Sequence, residues 1–277
     1  MRVNPNMFDS ITPVILTYNE APNIARTLEK LNWAKDIVVV DSYSTDDTIS
    51  IVAGFPQART IQRKFDSHSE QWNFALNETG IKTEWVLALD ADYVLSDCLV
   101  DELAALIPSD ETAGYKAQFI YCVYGKSLRG AGYPPVTVLY RRSRAAYRQD
   151  GHTQRVVIEG KIEDLRSPIF HDDRKPLGHW LAAQNRYMEL EVNKLTNEHW
   201  NNLCWADRLR KMRFIFPFIM LGYCLFIKGG ILDGRAGLYY ALQRTVAECI
   251  LSLQLLQRDT TGIRDKADPL NPIDRTS

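Results

Sequence analysis

The sequence predicts an α/β fold: a doubly wound, mostly parallel sheet in the N-terminal half, a β-rich second half and a C-terminal helical extension. Three observations lead there. The short apolar runs Pro13–Leu16, Ile37–Val40 and Trp85–Leu89 each stop at polar residues. Helical patterns separate them, and strands alternating with helices build parallel crossovers. From Gly114 the chain turns aromatic, β-branched and glycine-rich, and from Pro176 it turns helical.

In order, Ala21–Leu31 places Ile24, Leu28 and Leu31 at helical spacing, with Pro22 suited to a first turn. After Asp41, Ser42–Thr48 supplies turn and capping residues ahead of Ile49, Val52 and Ala53. Gln71–Leu76 is the helix feeding the Trp85 strand, and Leu99–Ile107 the helix after it. Tyr115–Tyr124 and Thr137–Tyr140 are strands of the second half, joined through the glycine-rich Gly125–Pro135. Beyond Pro176, Trp180, Tyr187, Leu190 and Leu195 recur among charges. The expected divisions are 10–112, 113–200, a helical 201–258 and a polar tail, 259–277, read as disordered.

The chain has 277 residues, 45% of them hydrophobic, enough for a sizeable core. Lys plus Arg number 33 against 34 Asp plus Glu, so charge balance gives no support for a nucleic-acid partner. The five cysteines are scattered without Cys-x-x-Cys spacing, which argues for a reducing compartment without disulfides or structural zinc. Met1–Ser10 lacks the basic and apolar regions of a signal peptide, so a cytoplasmic location is expected. Phe214–Ile227 is apolar for 14 residues, short of the roughly 20 that span a bilayer. Flanked by Arg208, Arg210, Lys211, Arg213 and Lys228, it suits a helix lying on the inner face of the cytoplasmic membrane. A buried core helix or dimer surface with snorkelling flanks is the alternative.

Asp90 and Asp92 end the third apolar run and, on a strand, point the same way. Two such carboxylates need a partner, and Mg²⁺ or Mn²⁺ held through carboxylates and phosphates suits them. A solvated Asp-x-Asp turn is the alternative. Thr17-Tyr18-Asn19-Glu20, Asp41-Ser42 and Asp90–Asp92 follow strand ends and converge on one sheet edge, with Gln71–Asn73 nearby. There Tyr18 can cover a nucleotide base, while Glu20 and Asp41 can accept hydrogen bonds from base or ribose. No glycine-rich phosphate loop is present, so a pyrophosphate would be held by metal and side chains. Asp46 and Asp47 read as helix-start residues.

Thr17-Tyr18-Asn19-Glu20 with Asn23-Ile24, Val38-Val39-Val40-Asp41-Ser42 with Ser44-Thr45-Asp46, and Leu89-Asp90-Ala91-Asp92 together resemble the family-two glycosyltransferases. More narrowly, residues 10 to about 250 are similar to the lipopolysaccharide core β-glucosyltransferase branch. The resemblance implies a GT-A fold with a nucleotide-sugar half and an acceptor half. It implies an inverting enzyme that moves a hexose, first of all glucose from UDP-glucose, onto a lipopolysaccharide-core or lipid-linked glycan. Nucleoside contacts would be Thr17, Tyr18, Glu20 and Asp41, and metal and diphosphate contacts Asp90 and Asp92. Arg63, Gln71, Trp72 and Asn73 fall at donor-site positions. His171 stands where many relatives place a histidine that completes the metal site, a structural histidine being the alternative. Arg174 and Lys175 would face diphosphate or an anionic acceptor, or form a solvated loop.

One departure stands out. Relatives in this branch carry His-Glu before a short apolar strand, whereas Gln154 occupies the glutamate position here. A neutral amide cannot take a proton, so Asp150 leads as general base, followed by His152 and then Asp172 and Asp173. Gln154 also leaves open a catalytically silent nucleotide-binding module. A sugar nucleotidyltransferase would need a glycine- and arginine-rich N-terminal phosphate loop, which is missing. A processive synthase would need spanning helices and a Gln-x-x-Arg-Trp motif, also missing.

Overall fold

The computed structural model describes residues 7–130, 133–150 and 153–261, with backbone alone at 149, 150, 153, 154 and 261. The N-terminal half alternates strands and helices: β1 (Ile11–Thr17), α1 (Ile24–Glu29), β2 (Ile37–Asp41), α2 (Thr48–Val52), β3 (Ala58–Gln62), α3 (His68–Glu78) and β4 (Trp85–Asp90). These four strands are parallel, in the order β3-β2-β1-β4. β2 is buried along its whole length and β1 and β4 along nearly all of theirs, as apolar runs covered on both faces must be.

Alternation sorts their side chains into two cores. Ile15, Ile37, Val39, Leu87 and Leu89 pack with Ile24 and Leu28 of α1 on one face. Val14, Val38, Val40, Val86 and Ala88 pack with Trp72, Ala75 and Leu76 of α3 on the other. Each of these large aliphatic side chains contributes about 1.5–3 kcal/mol by burial. Helix starts follow the caps: Ser67 accepts from the Glu70 N–H, so α3 begins three residues before the expected Gln71. β3 escaped the sequence pattern because Ala-Arg-Thr-Ile-Gln is a half-buried edge strand, too polar to register as an apolar run.

The second half comprises β5 (Tyr93–Leu95), α4 (Asp97–Ala105), β6 (Thr112–Ala117), β7 (Phe119–Val123), β8 (Lys126–Ser127), β9 (Val136–Arg141), β10 (Ala145–Asp150), β11 (Thr153–Ile158), β12 (Lys161–Asp164) and β13 (Ile169–His171). Tyr115–Tyr124, expected as one strand, breaks at Gln118 into β6 and β7, which join different sheets. β9, β6 and β12 complete the main seven-stranded sheet beside β4. β7 enters a four-stranded sheet, β5-β13-β7-β8, in which His171 lies between Tyr93 and Tyr121. β10 and β11 form a separate hairpin, and the His152 expected as a base candidate lies outside the described residues.

The C-terminal region contains α5 (Leu177–Asn197), α6 (Trp205–Arg210), α7 (Phe216–Gly222), a π-helical turn (Tyr223–Ile227) and α8 (Gly234–Thr261). Val192 and Leu195 of α5 pack on Leu251 and Leu255 of α8, so the helical unit begins before the expected boundary at 200/201. α8 runs through Thr261, making the first residues of the expected tail helical; 262–277 lie outside the described residues. The turn into α8 needs glycine: Gly229 has φ 73°, and a Cβ on Gly237 would collide with the Gly230 carbonyl. No single helix among the described residues is long and apolar enough to cross a membrane.

Candidate functional site

The registers Thr17↔Asp41 and Leu16↔Asp90 bring three strand ends to one edge of the main sheet. Thr17 Oγ1 donates to Asp41 Oδ1 at 2.9 Å, and the Ser44 hydroxyl and N–H donate to the same carboxylate at 2.5 and 2.9 Å. Asp41 is fully buried. Thr17 and Asp41, expected as nucleoside contacts, are joined to each other and to Ser44 at this strand end.

Asn19 and Tyr43 adopt left-handed φ values of 54° and 60°. For a bulky residue such as Tyr43 this costs on the order of 1–3 kcal/mol. Cross-loop bonds offset it: Asn19 N–H to Ser44 Oγ at 2.8 Å, Thr45 N–H to Asn19 Oδ1 at 2.8 Å and Glu20 N–H to Thr48 Oγ1 at 2.8 Å. The stapled loops push Tyr18 and Tyr43 outward, 57% and 54% exposed, leaving two ring faces for a base. Tyr43 carried no signal in the sequence. Asp46 accepts from Thr48 and Ala21; burial acts to raise its carboxyl, but these bonds hold it below the usual range.

Gln71 and Asn73, expected at the donor site, both have partners within the protein. Gln71 is fully buried; its Oε1 accepts from Arg63 Nη1 at 2.6 Å and its Nε2 donates to Ser42 Oγ at 3.2 Å. It positions Arg63, which also pairs with Asp66 at 3.1 Å. Asn73 exchanges two 2.9 Å bonds with the backbone of Tyr147, its amide mimicking a neighbouring strand. With the Trp72–Tyr147 stack at 5.2 Å, it ties α3 to β10.

At the end of β4 an acidic centre forms. His171 Nε2 lies 3.0 Å from Asp92 Oδ2, with both side chains mostly buried. Tyr93, Tyr121 and Tyr133 ring the imidazole at 5.2, 4.9 and 5.0 Å, and its buried Nδ1 has no partner among the described residues. Burial acts to lower His171, but the Asp92 and Asp90 charges hold it above its ordinary value. Burial and the neighbouring Asp92 charge push the Asp90 carboxyl up to about 6. Burial also acts to raise Asp92, yet His171 and Lys175 keep it below the usual range.

Glu20 belongs to this centre too. Its oxygens, expected as nucleoside contacts, accept from Lys175 Nζ and from Asn23 Nδ2. Burial lifts it to about 7, with Lys175 opposing and Asp92 adding. Lys175 therefore points inward rather than into solvent. Asp173 Oδ1 accepts from Asn23 Nδ2 at 2.9 Å and from the Lys175 N–H at 3.0 Å, while its Oδ2 has no hydrogen bond among the described residues. Asp172 is buried and bound by Arg26, Arg174 and the Gly125 N–H, which makes it structural and removes it as a base. Of Asp150 only the backbone is described, at the end of β10.

Among the described residues no three His, Cys, Asp or Glu side chains gather as a ready cation cage. The donor chemistry at Asp90, Asp92 and His171 nonetheless fits a hard or borderline cation that takes its remaining ligands from phosphate and water. Burial first and the Asp92 charge second raise Asp90, and a cation bound there would favour its ionised form.

Beside Asp173 and Lys175 lies a narrow cleft, walled by Tyr124 after β7, Trp180 of α5, and Tyr239 and Gln243 of α8. Tyr124 and Tyr239 meet edge to face at 5.7 Å, and Tyr121 and Tyr240 at 5.1 Å. The α5 and α8 walls of this cleft escaped the sequence analysis, because residues far apart in the chain form no local motif.

The sequence matches the family described as Glycosyl transferase family 2 over residues 12–161. It is 26% identical over 276 residues, 93% of this chain and 96% of the other, to the lipopolysaccharide core biosynthesis glycosyltransferase LpsC of Rhizobium meliloti. It is 36% identical over 205 residues, 69% of this chain and 71% of the other, to an uncharacterized glycosyltransferase of Rickettsia felis. Among solved structures, S. aureus TarS 1-349 in complex with UDP-GlcNAc aligns with a TM-score of 0.46 and 15% identity, covering 91% and 92% of the two chains. The chain belongs to glycosyl transferase family 2 and is a glycosyltransferase, its mostly parallel sheet being the GT-A frame that the strand-end motifs implied.

Proposed function

We propose that this glycosyltransferase moves a hexose, glucose from UDP-glucose first of all, with inversion onto a hydroxyl of a lipopolysaccharide-core or lipid-linked glycan. The observation that carries the reading is the carboxylate pair at the end of β4, Asp90 and Asp92, with His171 Nε2 3.0 Å from Asp92 Oδ2. Similarity to LpsC along nearly the whole chain supports a core-glycan acceptor. Tyr18 and Tyr43 offer faces for the base, and Arg63 is held at the same sheet edge by Gln71.

In the transfer, the bond from the anomeric carbon to the diphosphate oxygen breaks while an acceptor hydroxyl attacks from the opposite face of the sugar. Asp173, in the cleft wall and with one open carboxylate oxygen, is the base that takes the hydroxyl proton. Lys175 lies between this carboxylate and the acidic centre and offsets charge on the departing diphosphate. Asp90, Asp92 and His171 would hold a divalent cation, Mg²⁺ or Mn²⁺, and such a cation would supply further positive charge to the leaving group.

Calorimetric titration of the purified chain with UDP, GDP and their glucose and mannose conjugates, with and without Mn²⁺, tests the donor. Metal-dependent binding of UDP and UDP-glucose is expected. Preference for a guanosine nucleotide overturns the donor assignment, and binding by none of them points to the silent-module reading.

A further inference from the structure

We propose that α7, its π-helical turn and the start of α8 seat on a lipid bilayer bearing anionic headgroups. In this segment Phe216, Pro217 and Cys224 are buried against the protein. Yet the opposite side is apolar as well: Phe218 is 75%, Phe226 67%, Ile227 75% and Leu232 66% exposed. Phe214, and Trp205 on the neighbouring α6, extend it at 65% and 72%. Monomeric soluble proteins rarely leave so many large apolar side chains together in water.

Charge identifies the occupant. From residue 199 to 258 the acidic residues are Asp207, Asp233 and Glu248, and all three are buried. Asp207 is paired with Lys194 and Arg210, Asp233 with Arg129 and Glu248 with Arg210. The exposed face therefore carries no carboxylate over this span, while Arg208, Lys211, Lys228 and Arg235 add positive charge. Arg210 and Arg213, counted in the sequence as part of the basic cluster, are held instead by carboxylates. A surface that is apolar and predominantly basic, with Asp259 paired to Arg213 at its margin, complements anionic headgroups over acyl chains.

Phe216–Ile227 alone rises about 18 Å as a helix, short of a hydrocarbon core of about 30 Å. With Gly230–Thr260 it is long and apolar enough to cross, but the pair is bent by 66°, and the bend together with the basic flanks suits seating in the interface. Because α8 also supplies Tyr239 and Gln243 to the cleft, a bilayer seated here adjoins the proposed acceptor site, which deepens the lipid-linked acceptor reading without depending on turnover.

The test is co-sedimentation of the purified full chain with vesicles of phosphatidylcholine alone or mixed with phosphatidylglycerol. Binding to the mixed vesicles, weakened by high salt, is expected. The Phe218→Asp/Phe226→Asp variant should lower partitioning at least about tenfold with unchanged circular dichroism and unchanged UDP binding. Lys211→Glu/Arg235→Glu should remove the preference for phosphatidylglycerol. Wild-type protein left in the supernatant, undiminished binding of the double phenylalanine variant, or indifference to headgroup charge overturns the proposal. A dimer that the phenylalanine variant splits, in a chain that ignores vesicles, assigns the face to a second copy instead. Vesicle binding without sugar transfer would sink the functional reading and leave this one standing.

Discussion

Replacing Glu20 by glutamine isolates the electrostatics of the acidic centre. The Glu20 carboxyl rises from an ordinary 4.5 to about 7 in the folded chain, chiefly through burial. An acid whose folded value is raised binds more protons when native, so its stabilising contribution is fully present below pH 4.5 and lost as pH climbs through 7. The gap corresponds to about 3 kcal/mol, at 1.36 kcal/mol per pH unit. Glutamine keeps the shape and an oxygen for Lys175 or Asn23 but does not titrate. Urea unfolding of both proteins from pH 4.5 to 8.5 should therefore give curves that run together at the acid end and diverge upward, E20Q becoming the more stable by about 3 kcal/mol at pH 8. A constant difference across the range would show that Glu20 does not titrate there. A wild type that gains on the variant above pH 7 would show that attraction to Lys175 outweighs burial, and the reasoning would fail.

Other perturbations separate the roles assigned above. Asp92→Asn should cut kcat by at least about 10²–10³-fold with unchanged circular dichroism; retained transfer would discard Asp92 from leaving-group stabilisation. Asp173→Asn should lower kcat while titration shows donor affinity kept, and loss of UDP binding would contradict its role as base. Asn73→Ala strips two bonds from Tyr147 and leaves its backbone groups unpaired, so the urea midpoint should fall by the equivalent of about 2–4 kcal/mol; a raised donor KM at an unchanged midpoint would restore Asn73 to the donor site. Tyr239→Ala should raise acceptor KM about tenfold and leave donor KM alone, since it removes one aromatic wall of the cleft; an unaffected acceptor KM would close that cleft as the acceptor site.

The parallel frame was legible because β1, β2 and β4 are buried on both sides and carry long apolar runs, whereas β3 is a polar edge and left no such trace. The motif residues lie on the elements the sequence pointed to, but the partners they hold within the protein were not legible there. Asp41 and Gln71 lie at the expected strand end and helix, yet both are fully buried, because hydrogen-bond partners such as Ser44 and Arg63 become visible only once loops are folded together. Asn73 is the clearest case: an amide suited to binding a ligand is equally suited to imitating a strand edge, and only the position of Tyr147 decides. Lys175 and Glu20 stand 155 positions apart, and no local pattern foretells their pairing.

Tyr121 touches the His171 ring on one side and Tyr240 of α8 on the other. One phenol thus serves as a shared wall between the chemistry and the helical annex, so the two cannot be separated with scissors. A fragment ending before α5 would keep every strand of the sheets and every side chain of the acidic centre. It would also bare Tyr121 and lose the Trp180 and Tyr239 sides of the cleft. Grafting the C-terminal helices of one relative onto the sheet of another is accordingly an exchange of the rooms on both sides of that wall, and such chimaeras will need the aromatic pair transferred together.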